Sequence, residues 1–513
     1  MIHRAASPWP EGWPARLWLL ALVMLPLLSL GTPPLFDLDE GAFTSSTTEM
    51  FLRGDFLSSY MLGEPRHDKP ILIYWLQAAS ISLFGAGEFG FRLPSALASG
   101  LWILATYLFV ARVQRREAGL IAAMIIATAA GLSIITRAAT ADALLHLFLA
   151  VSGYATWLWF KESKPVWRYL GFAAMGLGFL TKGPIAVLVP AGTAFLWCLS
   201  EKSPGRFFRW ALHWRAILLF LAIAAPWFVL QTWIEGPDFL RGFFLKHNLS
   251  RFDTPMEGHG GQYFYYLPVL FISLLPHTGL LLSALGQLRV LWENPLLRFG
   301  LLWFLLVLTL FSFSGTKLPH YVYYGYGGLV VILADSAMNA RNRWLLLLPA
   351  VLLFAVLAFA PELLSLALPS LKADDRLLAA GLSDSFDSHY RIATAIFFGV
   401  GVALLFTGWR LTTRLHINGL LAGAAVAAFL MPAIGALLQA PVKQAGLIAA
   451  SLPGRLMMYG INTPSFQTYA GRQVSRGRPS SGDLLLTRES KLPTLPEHET
   501  LYRQRGILLL RMR

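Results

Sequence analysis

The sequence predicts an all-α polytopic membrane protein of about thirteen spans, followed by a small C-terminal external α/β domain. Of its 513 residues 56% are hydrophobic and only 14% charged, where an ordinary soluble domain has about 25% charged residues. Apolar runs of roughly 17 to 25 residues, the length that crosses a bilayer as a helix, recur along the chain. Hydrocarbon obliges the backbone to satisfy its own polar groups, so helices are the default, and the alternating pattern of a membrane barrel is absent. The formal net charge of +14 resides in short loops between apolar runs. That is the positive-inside bias of a bacterial inner-membrane protein, and nucleic acid is set aside as a partner. The one cysteine, Cys198, lies in an apolar run, which leaves no intrachain disulfide and no thiolate metal cluster.

The N-terminus carries Arg4 and Arg16, then an apolar stretch from Leu17 to Leu30 that ends in Gly31-Thr32-Pro33-Pro34 without a small-x-small cleavage pattern. It reads as an uncleaved first span over 15–31 that exits to the periplasm. The external loop 32–91 follows. Within it the apolar segment 70–84 is short for a span and suits a juxtamembrane helix lying at the interface, with Tyr74 and Trp75 at headgroup depth. The charge bias supports the flat placement. With it, the next spans put Arg112, Arg115 and Arg116, then Lys161, Lys164 and Arg168, then Lys202 and Arg206, and finally Arg410 and Arg414 on the inner side. A crossing 70–84 would invert all of these loops. Residues 1–440 thus form the transmembrane domain, with external loops over 32–91 and 233–262. Residues 441–513, richer in charge, Pro, Gly and Ser, form a small periplasmic domain with β-like runs at Leu456–Tyr459, Leu484–Thr487 and Ile507–Arg511.

On this topology the external face collects an unusual set of charges. The first loop holds Asp39, Glu40, Arg66, His67, Asp68 and Lys69, and the second holds Lys246, His247 and Arg251. Asp142 starts a span; Lys182 and Lys317 lie between spans. Ionisable groups at membrane depth are costly and tend to be functional, although long cations also snorkel to headgroups. The functional reading of Lys69, Lys182 and Lys317 is a cationic cradle for a phosphate. Asp39 suits general-base work on a hydroxyl beside such a cradle, or alternatively caps the helix-like stretch after it. His247 with Asp68 across two loops could ligate a divalent metal ion.

Asp39-Glu40, Thr48-Glu49-Met50, Gly54-Asp55-Phe56, Asp68-Lys69-Pro70, Tyr74-Trp75, Phe84-Gly85 and Arg92-Leu93-Pro94-Ser95 follow one another in the first 95 residues. Leu180-Thr181-Lys182-Gly183-Pro184, Tyr265-Tyr266-Leu267-Pro268 and Lys317-Leu318-Pro319-His320-Tyr321 come later. In this order they resemble the GT-C membrane glycosyltransferases of the lipid A aminoarabinose transferase and protein O-mannosyltransferase type. The likeness covers most of 15–340. It implies an inverting transferase that takes a sugar from a polyprenyl-phosphate donor at the periplasmic face, with lipid A or another envelope glycan or lipid as the favoured acceptor. It implies Asp39 as catalytic carboxylate, with Glu40 beside it and Asp142 as a second polar residue of the cavity. Lys69, Arg251 and Tyr321 look like phosphate contacts, joined by Lys182 and Lys317, and Asp68 and His247 look like the family's metal pair. The chain departs from the pattern at Gly41-Ala42-Phe43, at Asp68 where Glu is usual, and at Ile71. The sugar and the acceptor, including transfer to protein Ser/Thr, stay open. A flippase without covalent chemistry would need charges along a path through the membrane, whereas here they gather on one face.

Overall fold

The computed structural model describes residues 12–250, 260–340 and 342–513, the side chains of 247–249 excepted. The chain is a multi-pass helical membrane protein. Among the described residues six helices are long and apolar enough to cross a bilayer, or seven when Arg343–Ala358 and Ala360–Ser370, bent by 60°, count as one. Several further expected spans are two helices in series. Arg116–Thr128 continues as Ala130–Ile135, and Tyr266–Ser273 as Thr278–Leu285. The two breaks satisfy each other, because the Ala130 N–H donates to the Leu275 carbonyl at 2.7 Å. Broken helices persist in hydrocarbon only where neighbours supply such partners. Side chains such as Leu218 and Val229, 57% and 66% exposed, form the outward apolar surface that lipid covers and water would not tolerate.

Small residues let the bundle close. A Cβ on Gly300 would lie 2.7 Å from the Gly328 carbonyl oxygen, so helices Pro295–Ser312 and Tyr326–Asn339 touch backbone to backbone. Trp303 fills the space left by Gly153 and Gly327, where added Cβ atoms would meet its ring at 2.2 and 2.6 Å. Its indole N–H then donates to the Tyr324 carbonyl at 2.9 Å.

The loop after the first helix is organised by one buried ion pair. Arg92, in the helix Glu88–Val113, donates Nε to Glu40 Oε1 at 2.7 Å and Nη2 to Glu40 Oε2 at 2.6 Å. Its other N–H groups donate to the carbonyls of Leu30, Pro33 and Pro34 at 2.6–2.9 Å. All five guanidinium donors are therefore used. Glu40 in turn accepts from the N–H groups of Phe36 at 2.9 Å and Ala139 at 2.7 Å.

The C-terminal domain is a five-stranded sheet in the order Val474–Arg476, Leu456–Met458, Leu484–Arg488, Ile507–Met512, His498–Gln504. The first three strands are parallel and the last two join antiparallel. Leu484 and Leu486 pack on one face with Val442 and Ala445 of the helix Ala440–Ala450, while Leu485 packs on the other with Met457 and Leu508. Burial on both faces gives the continuous apolar runs seen in the sequence. The parallel pair requires a crossover, and its helix, Ser465–Ala470, docks on the helix Asp39–Arg53. Thr468 and Thr44 hydroxyls meet at 3.0 Å, and Gln467 Nε2 donates to Ser45 Oγ and Glu49 Oε2 at 3.1 Å each. Asp37 accepts from the Ser465 N–H at 3.0 Å and from its hydroxyl at 2.5 Å.

Two expectations follow. Glu40→Gln leaves Arg92 buried without its counter-charge and should cost about 3–5 kcal/mol of stability. Thermal unfolding of the detergent-solubilised full chain reads this, and an unchanged transition would refute the pair's role. Burial beneath the C-terminal domain pushes the Asp37 carboxyl up to about 7, aided by the nearby Glu40 charge and opposed by the two Ser465 bonds. A folded-state value above the unfolded 3.8 means that this stabilisation is full below the unfolded value and lost as pH rises through about 7. The Asp37→Asn variant should lose that part of the pH dependence, as measured by melting between pH about 4 and 8.

Candidate active site

The helix Asp39–Arg53 begins at the residue singled out in the sequence. Its N-cap is Leu38, with no side-chain cap bond, so Asp39 does not serve as the cap that was one reading of it. Asp39 is exposed, and among the described residues it forms no ion pair at contact distance. Glu40 points elsewhere. It is 3% exposed and fully engaged with Arg92 and two backbone N–H groups. The catalytic role expected of Glu40 is replaced by a structural one, because no oxygen of its carboxylate is left for a substrate.

Beside Asp39 lies the Arg66–Asp68–Lys69 cluster. Arg66 donates to Asp68 Oδ1 at 2.7 Å and Oδ2 at 3.2 Å, and to the Ala42 carbonyl at 2.5 Å, with its guanidinium over the Phe43 ring at 4.8 Å. Lys69 Nζ lies 3.2 Å from Asp68 Oδ2. The carboxylate of Asp68 is thus neutralised by two cations, which compete with any divalent metal there. The side chain of His247 and all of Arg251 lie outside the described residues. Among the described residues there is no group of three or more His, Cys, Asp or Glu side chains suited to a metal. The expected pairing of Asp68 with His247 around a divalent ion therefore falls partly outside the described residues.

A second cluster sits where Asp142 opens its helix. The loop 136–141 before it is held from several sides. Ser95 and Ser99 hydroxyls donate to the Thr140 and Thr136 carbonyls at 3.1 and 2.8 Å, and Gln77 Nε2 donates to the Ala139 carbonyl at 3.1 Å. Asp142 Oδ1 then accepts from Lys182 Nζ at 2.5 Å and from the Tyr324 hydroxyl at 2.9 Å. Lys182 also donates to the Tyr324 hydroxyl at 2.7 Å and stands 5.8 Å above the Tyr321 ring. The charge of Lys182 is therefore committed to Asp142 and is not held out for a phosphate.

His320 joins the two clusters. Its Nε2 is 3.8 Å from Asp142 Oδ1, and the charges of Lys182, Asp39 and Lys69 also act on it. Three residues earlier in the same segment, Lys317 is buried and donates to the Ser314 carbonyl at 2.6 Å. No carboxylate pairs with it among the described residues.

Asp39, Lys69, Asp68, Asp142, Lys182 and Tyr321 are brought into one site, with Lys317 on the segment that carries Tyr321. Sequence reasoning named Arg66 and His320 without giving either a role, and passed over Tyr324. Tyr324 was legible in principle. Tyr321 and Tyr324 are three apart in the tight helix Pro319–Gly325, where i and i+3 share a face.

Comparison with known proteins agrees with this architecture. A family model described as dolichyl-phosphate-mannose-protein mannosyltransferase matches residues 68–230. The undecaprenyl phosphate-alpha-4-amino-4-deoxy-L-arabinose arabinosyl transferase 2 of Pseudomonas fluorescens is 33% identical over 343 residues, 65% of this chain and 57% of that protein. An uncharacterised protein of Aquifex aeolicus is 31% identical over 319 residues, 62% of this chain and 72% of its own length. The match spans little more than half the length of the Pseudomonas relatives, at 57% and 55%. The crystal structure of ArnT from Cupriavidus metallidurans bound to undecaprenyl phosphate superposes with a TM-score of 0.80 at 20% identity, covering 96% of this chain and 97% of that one. Its apo form gives 0.79 at 19% identity. By sequence and by fold, the chain belongs to the GT-C membrane glycosyltransferases of the aminoarabinose transferase and protein O-mannosyltransferase type.

Proposed function

We propose that this protein is an inverting glycosyltransferase of the inner membrane. It moves a sugar from a polyprenyl phosphate to an acceptor hydroxyl or phosphate at the periplasmic face. The observation that carries the reading is the state of the carboxylates. Glu40, Asp68 and Asp142 are all ion-paired, and Asp39 alone of the four is exposed and unpaired among the described residues, with its charge acting on Arg66 and His320.

In this mechanism Asp39 takes the proton of the acceptor hydroxyl as its oxygen attacks C1 of the sugar. The bond from C1 to the phosphate oxygen breaks through an oxocarbenium-like state, and inversion follows from attack opposite the leaving group. Polyprenyl phosphate departs as an anion that Lys317, Lys69 and the Tyr321 hydroxyl stabilise, with Arg251 as a further expected contact. A phosphate acceptor is already anionic and needs no base. The Asp142–Lys182–Tyr324 triad holds the tyrosine-bearing segment in place from below. Relatives named for undecaprenyl phosphate-aminoarabinose transfer favour undecaprenyl phosphate as carrier and an amino-deoxy pentose as the sugar. Lipid A, or another envelope glycan or lipid, is the favoured acceptor. Protein Ser/Thr is the alternative that the matching family description supports.

Asp39→Asn should lower transfer to a hydroxyl acceptor by at least about 10²-fold while the protein still accumulates in membranes. Release of polyprenyl phosphate from a labelled donor is the readout, and undiminished turnover sinks the assignment. Lys317→Gln should lower kcat/KM for the donor by about tenfold, with Lys317→Arg recovering part of it. Equal rates in all three proteins would remove Lys317 from the phosphate site.

A further inference from the structure

A cavity of about 910 Å³ opens at the end of the bundle away from the candidate active site. Asp142 and Glu162 are the first and last residues of one 21-residue helix, which at 1.5 Å per residue separates the two sites by about 30 Å. The chamber is walled by the ends of the helices Glu88–Val113, Asp142–Glu162, Ile185–Ser200, Pro295–Ser312 and Tyr326–Asn339. On the topology read from the sequence this is the cytoplasmic side.

The charges on its wall do not cancel locally. Glu162 is neutralised by Arg112 at 2.7 Å and by Lys164, from outside the chamber, at 2.9 Å. Glu201 pairs with Arg298, also from outside. Asp335 accepts from Asn339 at 3.2 Å and keeps its charge, which Arg115 partly offsets, so the three remaining cations outnumber it. Lys161, Arg115 and Arg206 remain, and among the described residues no carboxylate lies within ion-pair distance of any of them. Arg206 lies against the aromatic wall, 5.4 Å from the Phe160 ring centroid and 5.6 Å from that of Trp197, and donates one N–H to the Phe160 carbonyl. Among the described residues its other donors have no hydrogen-bond acceptor. Deeper in, Gln114 Oε1 is buried and accepts no hydrogen bond from a described residue, which suits a ligand that also carries a hydroxyl.

We propose that this chamber is a second, non-catalytic binding site for a phosphate group borne by a polyol. Arg206 acts as the planar fork, and Lys161 and Arg115 as the accompanying charges. Two sources offer this chemistry, the headgroup of an anionic phospholipid of the cytoplasmic leaflet and a soluble phosphate. Basic pockets between transmembrane helices on that side are suited to the first. The site stands independently of the reaction proposed for Asp39.

Native mass spectrometry of the full-length protein, delipidated and titrated with phosphatidylglycerol, phosphatidylcholine or inorganic phosphate, tests it. Lys161 and Arg115 are exposed, so the Lys161→Ala/Arg115→Ala variant should fold normally. It should bind phosphatidylglycerol at least about tenfold more weakly than the parent, with phosphatidylcholine weak in both. A control pair outside the chamber, Arg209→Ala/Arg289→Ala, should leave binding unchanged. Loss confined to phosphatidylglycerol assigns the site to a lipid headgroup, and a matching loss with inorganic phosphate assigns it to a soluble phosphate. Unaltered affinity for both anions in the first variant, or an equal loss in the control, overturns the site.

Discussion

The buried pair between Arg92 and Glu40 is the constraint from which the half of the molecule that carries the candidate site is built. Its five guanidinium donors gather the exit of the first helix, the start of Asp39–Arg53 and, through Glu40, the Ala139 loop onto the helix Glu88–Val113. A buried ion pair gains little net stability over an apolar equivalent, but breaking one side of it is costly. Its effect here is positional. Adjacent residues on a helix point about 100° apart. Anchoring Glu40 inward therefore turns Asp39 outward, and two consecutive carboxylates are set apart, one as anchor and one facing outward as the proposed base requires.

The same pair reaches the second cluster through the chain. Glu40 fixes the Ala139 N–H, Ser95 and Ser99 fix the Thr140 and Thr136 carbonyls, and Asp142 starts its helix two residues after Thr140. From the other side Trp303, seated against two glycines, fixes the Tyr324 backbone, so that the tyrosine hydroxyl meets both Asp142 and Lys182. Asp142 and Lys182 are thus placed by independent scaffolds and close on one another. Their ion pair leaves Lys317 as a buried cation whose described partners, the Ser314 carbonyl and the Tyr263 ring 6.0 Å away, carry no negative charge. A buried charge in that condition is unfavourable unless an anion completes it, and this is why Lys317 rather than Lys182 is assigned to the leaving phosphate.

Much of this architecture was legible in residue order, for identifiable reasons. Long apolar runs report lipid contact directly, and the strands at Leu484–Arg488 and Ile507–Met512 announced themselves because both sheet faces are buried. Strands Val474–Arg476 and His498–Gln504 lie at the two edges of the sheet, carry polar side chains, and left no such signal. Charge content located the site. It could not separate Glu40 from Asp39, or Lys182 from Lys317, because the distinction depends on which cation lies opposite, and those partners are 52 and 40 residues away. Arg66 was hidden for a related reason. In sequence it is one of four consecutive ionisable residues, Arg66 to Lys69, and only the fold shows it laid over Phe43 and tied to the Ala42 carbonyl.

The least expected feature is the burial of a polar helix. Thr44-Ser45-Ser46-Thr47 reads as a solvated surface, yet all four residues are buried. No apolar face could have served, because the helix meets polar partners on several sides. Thr47 donates to Gln77 in the juxtamembrane helix at 2.7 Å, Thr44 meets Thr468, and Gln467 donates to Ser45 and Glu49. Each hydroxyl is small enough for close approach and is satisfied by a carbonyl one turn back or by an amide or hydroxyl across the contact. Hydrogen bonds of this kind are directional where apolar packing is not, so they fix the rotation of the helix about its axis as well as its position. For a helix whose first residue is Asp39, that rotation sets the direction in which the carboxylate faces. The C-terminal domain, joined to the membrane part at a distant point in the chain, therefore bears on the geometry of the site without contributing a side chain to it.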